Sequence, residues 1–226
     1  MIRVQVICEG ATEEAFIVDV IAPLFAHQQL FITARGINTS PSSKGGALVY
    51  QRVSRFIVNC LKEDANTIVT TFFDLYGLHN EFPCYAESQT ITDVYQRAAL
   101  LEQAFKQDIA PENSLFARRF IPYIQPYEFE GLLFTDIAKL IELEDNWQSS
   151  LIPLQAIRDA FATPEHINDS YEKKPSARLE KQLNNPFYRK TLHGTLAIQS
   201  IGIDKLCAEC QHFSEWYTQL SQLRTE

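Results

Sequence analysis

No stretch of the 226 residues approaches the roughly 20 consecutive apolar residues that a membrane-spanning helix needs. A helical integral membrane protein is therefore not expected. The first residues lack a basic leader, a hydrophobic run and a small-residue cleavage site, so the sequence reads as cytoplasmic, without a secretory signal. Cysteine is sparse. Five residues, an odd number at irregular spacing, do not make a disulfide framework. Cys207 and Cys210 form a lone C-x-x-C with only His212 nearby, so structural zinc is not expected either. Positive charge is also short: 20 lysines and arginines face 28 acids, a net charge of −8. Overall charge thus excludes a general polyanion binder, and any phosphate contact has to come from a local basic patch. Internal repeats and low-complexity tracts are absent.

What remains is an ordinary globular composition, 46% hydrophobic and 21% charged. Its organisation starts at the N-terminus. Residues Ile2 to Cys8 form an apolar run with the character of a strand buried on both faces. The run breaks at Glu9-Gly10, and Phe16, Ile17, Val20, Ile21 and Leu24 then fall at helical spacing. Thr12 is the expected N-cap, with Glu13 and Glu14 in the first turn, where the helix macrodipole favours acids. Leu30 to Ile37 reads as a second strand. A polar loop follows, containing Lys44-Gly45-Gly46, and then a helix carrying Leu48, Val49, Arg52, Val53, Phe56, Ile57 and Cys60 at helical spacing. The lysine-glycine step at a helix entry is an anion-site signal, although it lacks the Walker spacing.

Thr67 to Phe73 is a β-branched and aromatic third strand that ends at Asp74-Leu-Tyr-Gly77. An amphipathic helix spans Val94 to Phe105. Arg118 to Gln125 is a fourth strand, whose internal Pro122 places it at an edge or a bulge. It runs into Tyr127-Glu-Phe-Glu-Gly-Leu-Leu-Phe134, the start of a short helix. Beyond Asp136 the alternation stops, and Ile137–Leu143, Leu154–Phe161 and Ala197–Leu223 read as helical. Strands separated by helices predict an α/β fold with a mainly parallel four-stranded sheet, residues 1–140, and a helical C-terminal extension, 141–226.

This topology carries the chemical argument. In an open parallel sheet, ligands bind at the carboxyl ends of the strands. Glu9, Asp74 and the pair Glu128 and Glu130 each follow a strand, so they are expected to converge on one rim. Converging carboxylates repel, and a divalent cation relieves the conflict. Oxygen donors without histidine or cysteine favour Mg2+ or Mn2+. Glu13, one helical turn from Glu9, is a further ligand candidate, whereas Glu14 reads as a plain helix-start acid. Which of Glu128 and Glu130 takes part stays open, because alternate residues of an extended segment point to opposite sides.

The motif Glu9-Gly10-Ala-Thr-Glu13 on the first strand-helix turn resembles the opening of the TOPRIM fold, especially its form in overcoming-lysogenization-defect (OLD) nucleases, and Asp74 stands where that fold carries its second acidic motif. Through these motifs, Tyr127 to Phe134 and the late Phe-Tyr-Arg-Lys190, the chain also resembles an uncharacterised bacterial TOPRIM-like family. The resemblance implies a TOPRIM-like, Rossmann-like domain and metal-dependent chemistry on nucleic acid, DNA or RNA. Glu9, Asp74 and one of Glu128 or Glu130 would be catalytic, Glu9, Glu13, Asp74 and Glu130 the metal-ligand set, and Lys190 the late lysine that stabilises phosphate charge. It also implies a separate ATPase partner and a role in phage defence. The chain departs from the pattern at one place: Asp-x-Asp is replaced by Asp74-Leu-Tyr76, one acid short.

Lys173, Lys174, Arg178, Arg189 and Lys190 are the expected phosphate-binding surface, with Tyr171, Phe187 and Tyr188 placed to stack on bases; Arg118 and Arg119 are further basic residues. Two competing readings remain. One is a non-catalytic TOPRIM-like binding module with a degenerate metal site. The other is a small-molecule enzyme holding a nucleotide at Lys44-Gly45-Gly46.

Overall fold

The computed structural model describes residues 2–37 and 48–223. The Lys44-Gly45-Gly46 loop lies outside the described residues. By its internal contacts the chain forms two compact units, Met1–Ile124 with Ser221–Glu226, and Gln125–Leu220.

The first unit is built on β1 (Ile2–Cys8), whose Val4, Val6, Ile7 and Cys8 are buried. β1 lies between two parallel neighbours, β2 (Leu30–Gly36) and β3 (Thr67–Asp74), in the register Cys8 to Gly36 and Cys8 to Phe72. Both faces of β1 and β3 are covered, and this is why they read as continuous apolar runs. The sheet order is β2-β1-β3-β4, with β4 (Phe120–Ile121) parallel to β3 at the far edge. The expected fourth strand is split: β5 (Ile124–Gln125) also pairs with β3, which makes five strands among the described residues. Pro122 sits at the break, where it has no N–H to give a ladder. Thr71 closes the gap, its hydroxyl donating to Tyr123 O and accepting from Tyr123 N, both at 2.8 Å.

Helix α1 (Ala11–Phe16) starts directly after the β1 turn. Its N-cap is Gly10 and not Thr12, which lies inside the helix and is buried. The helix continues through a π-helical turn, Ile17–Ile21, into α2 (Ala22–Phe25). α3 (Tyr50–Glu63) follows β2, and its buried stripe is Val53, Ile57, Cys60 and Leu61. Arg52, expected on that stripe from its spacing, is exposed. α4 (Tyr85–Ser88) is a single turn. α5 (Val94–Ile109) is capped by Asp93, which accepts from Gln96 N at 2.8 Å. The aromatic core of this unit centres on Phe105, whose ring lies 5.1 Å from Phe120, 5.5 Å from Phe82 and 5.8 Å from Tyr50.

The second unit is helical: α6 (Ile137–Ile141), α7 (Leu151–Asp159), α8 (Pro175–Gln182), α9 (Thr195–Ile201), α10 (Ile203–Glu209) and α11 (Gln211–Ser221), joined by short 3-10 and π turns. The single helical stretch expected from Ala197 onward is three helices. Gly202, at φ 84°, breaks the first junction, a backbone conformation that other residues rarely adopt. Cys210 marks the second. Buried Glu165 holds the start of α11, its two oxygens accepting from His212 N and Phe213 N at 3.0 Å each. Among the described residues no helix is long and apolar enough to cross a membrane.

Phe105 is fully buried and joins α3, β3, β4 and α5. Phe105→Ala is expected to destabilise the fold by about 3–5 kcal/mol, read from the midpoint of denaturant unfolding.

Candidate functional site

Glu9 and Asp74 stand at the carboxyl ends of adjacent parallel strands. Cys8 pairs with Phe72, so Glu9 leaves β1 at the level of Phe73, one residue before Asp74. β3 then turns through a 3-10 segment, Leu75–Gly77, which brings Gly77 back under Glu9. The Glu9 carboxylate fills the space that a side chain at position 77 would take: an ideal Cβ there would lie 2.6 Å from Glu9 Cδ. Gly77 is therefore a seat for Glu9. The same residue anchors the entry to α3, because Gly77 O accepts from Leu48 N at 2.9 Å.

Glu13 is buried on the first turn of α1 and folds back on Gly10, where a Cβ would meet its Oε2 at 3.2 Å. Glu14 turns the other way, onto Gly36 at the end of β2. Both acids reach Cys8: burial pushes its thiol well above the usual range, and the charges of Glu13 and Glu14 push it further. Glu9 and Asp74 thus follow adjacent strands on one rim of the first unit, and Glu13 stands on the first turn of the helix after Glu9. Among the described residues no group of three or more histidine, cysteine, aspartate or glutamate side chains could hold a metal ion.

Glu128, Glu130 and Lys190 belong to the second unit. Glu128 has an extended backbone, and Glu130 lies in the 3-10 segment Phe129–Thr135. The alternation of an extended chain does not apply there, and both carboxylates turn inward, 4% and 1% exposed. Each meets a lysine. Glu128 Oε1 is 2.6 Å from Lys174 Nζ, and its Oε2 accepts from Ser176 N at 3.0 Å. Glu130 Oε1 is 2.9 Å from Lys190 Nζ. Burial raises the Glu130 carboxyl above its ordinary value, and Lys190 draws it back only in part. Burial acts against the Lys174 ammonium, but the bond and charge of Glu128 outweigh it and hold Lys174 above the usual lysine range.

The remaining basic residues divide. Arg119 donates to the carbonyls of Leu61, Asp64 and Thr67, a structural tie. Arg178 pairs with Asp169 at 2.7 Å. Of the expected stacking residues, Tyr171 and Phe187 are exposed, with Lys174 Nζ 4.4 Å from the Tyr171 ring centre. Tyr188 is core, packed near His193. Two partners had no sequence signal, Gly77 for Glu9 and Lys174 for Glu128, because each contact joins segments remote in the chain.

Residues 8–221 match the profile of the family described as Domain of unknown function (DUF4276). The chain belongs to this family. Among solved structures, the C-terminal region of the Xanthomonas campestris pv. campestris OLD protein is similar to it over 99% of each chain, at 13% identity and a TM-score of 0.40. No curated protein matches.

Two outcomes test the geometry of this DUF4276 chain. Gly77→Ala is expected to cost about 1–3 kcal/mol, as overpacking does. In a Glu9→Ala background the cost is expected to fall near zero, giving a double-mutant coupling of similar size. The second concerns Glu130. A carboxyl with a higher pKa in the folded chain than in the unfolded one binds its proton more tightly when folded. It therefore favours folding at low pH, and that contribution is lost as pH rises from the ordinary 4.5 through the raised folded value. Glu130→Gln cannot ionise, so its urea midpoint is expected to decline less than that of the wild type over this window.

Proposed function

We propose that this chain is a magnesium- or manganese-dependent, TOPRIM-like nuclease or related phosphotransfer protein that acts on nucleic acid. The observation that carries the reading is the placement of Glu9 and Asp74 at adjacent strand ends, with Glu9 seated on Gly77. The donor set fits the ion. Magnesium keeps several waters and takes one or two protein carboxylates, with substrate phosphates completing its shell, so a preformed cage of three groups is not required. Glu9 and Asp74 would hold it, and Glu13 supplies a further carboxylate from the first turn of α1. When bound, such an ion polarises a phosphoryl oxygen and lowers the pKa of a water.

Glu9 is positioned by Gly77, so its carboxylate is fixed before substrate arrives. In the second unit, Glu128 and Glu130 are engaged by Lys174 and Lys190. For these two acids the reading is that they position the lysines. Lys190, 43% exposed at its side chain, presents an ammonium suited to a phosphate oxygen. The motif resemblance to OLD nucleases supports a separate ATPase partner and a role against phage or foreign DNA.

A second reading, a non-catalytic module that binds nucleic acid or an ATPase, is favoured by Tyr76 standing in place of a second acid. One experiment separates the two. Plasmid and single-strand cleavage are followed with manganese, together with manganese binding by calorimetry. The wild type is expected to cleave, and Glu9→Gln and Asp74→Asn to lose cleavage by about 100-fold or more, with weakened metal binding. Cleavage that survives both substitutions rejects this site; metal binding without cleavage supports the binding module.

A further inference from the structure

Helix α3 carries a basic face in an acidic protein. From Leu48 to Lys62 there is no acid, and the charged residues of that stretch are Arg52, Arg55 and Lys62; Glu63 closes the helix and pairs with Arg35. Arg52 and Arg55 are exposed and three residues apart, so they share one face. Beside them runs an open hollow of about 420 Å3, lined by Val49, Gln51, Arg52, Arg55, Phe56 and Asn59. Its location matters. Val49 follows Leu48, whose N–H is bound to Gly77 O, and Gly77 is the residue on which Glu9 lies. The hollow therefore runs along α3 from Val49, the residue after the one bound to Gly77, to Asn59.

We propose that this hollow grips single-stranded nucleic acid, with Arg52 and Arg55 on phosphates and Phe56 stacking on an unpaired base. The inference rests on the nucleic-acid reading above and names its substrate class. Guanidiniums suit phosphate oxygens, which they can bind in bidentate fashion. Phe56 is half-buried, and the Arg35 guanidinium lies 5.0 Å from its ring centre, itself held by Glu63 at 2.8 Å. That arrangement fixes the ring as a stacking platform at low entropic cost. Gln51 and Asn59 add amides that both donate and accept, the groups that read a base edge. In a duplex the Watson–Crick edges and the stacked faces are already taken, so the stacking on Phe56 selects a single strand. A strand held here arrives beside Glu9 and Asp74.

The test uses the full chain and a labelled oligothymidylate, alone or annealed to oligoadenylate. Fluorescence anisotropy is read in EDTA, so that no cleavage intervenes. The wild type is expected to bind the single strand at least about tenfold more tightly than the duplex. Arg52→Ala with Arg55→Ala, both exposed, is expected to weaken binding by about tenfold or more. It also lowers the slope of log affinity against log salt by about 1.4, because each lost phosphate contact removes about 0.7. Phe56→Leu keeps apolar bulk and is expected to lower affinity by about fivefold or more with the slope unchanged. If circular dichroism shows Phe56→Leu unfolded, Phe56→Tyr retains the ring and is expected to bind as the wild type does.

Unchanged affinity and slope in the arginine variant overturn the proposal, as does duplex binding equal to or tighter than the single strand. The failure of the nuclease reading looks different. Absent cleavage with intact single-strand binding overturns only the catalytic site, and cleavage with no effect of the arginine variant on binding overturns only the hollow.

Discussion

A carboxylate occupying the place of a missing Cβ organises the first unit. Glu9 ends the central strand, and its side chain lies where any residue but glycine at position 77 would put its own. A charged group held against backbone in this way loses hydration and must be compensated by its surroundings. The contact also fixes three segments at once. The end of β1 supplies Glu9, the turn after β3 supplies Gly77, and the entry to α3 is bound to Gly77 O through Leu48. Any shift in the register of β1 against β3 would move Glu9 off its seat, so strand pairing and site geometry are one constraint.

The second unit meets the cost of buried acids by different means. Glu128 and Glu130 each face a lysine, and Glu128 also accepts a backbone N–H at the start of α8. A buried ion pair is costly to break, because removing one partner strands the other charge. Each pair also restrains its lysine, Lys174 at Glu128 and Lys190 at Glu130. Glu165 repeats the logic at the start of α11, with backbone N–H groups in the lysines' place.

Much of the architecture was legible from local pattern. β1, β2 and β3 were marked by apolar and β-branched runs, and the acids at their ends followed from the alternation of strand and helix. The split of the fourth strand was signalled by Pro122, whereas the break at Gly202 was not read, because the apolar spacing of Ala197–Leu223 runs through it. The N-cap at Gly10 in place of Thr12 had no such signal. Arg52 fell at core spacing and is exposed, because a helical period locates a face only to within about a residue. Tyr188 lay among exposed aromatics in the sequence and is core.

The amino-acid sequence alone determined a parallel α/β sheet with Glu9 and Asp74 at the ends of its strands, since strand periodicity and turn chemistry act over a few neighbouring residues. Only the tertiary structure decided what each acid meets, Gly77 beneath Glu9, Lys174 at Glu128 and Lys190 at Glu130, and formed the arginine-lined hollow along α3. These contacts join segments far apart in the chain. Their energies come from packing, desolvation and charge at distances of a few ångströms, and no local pattern encodes those.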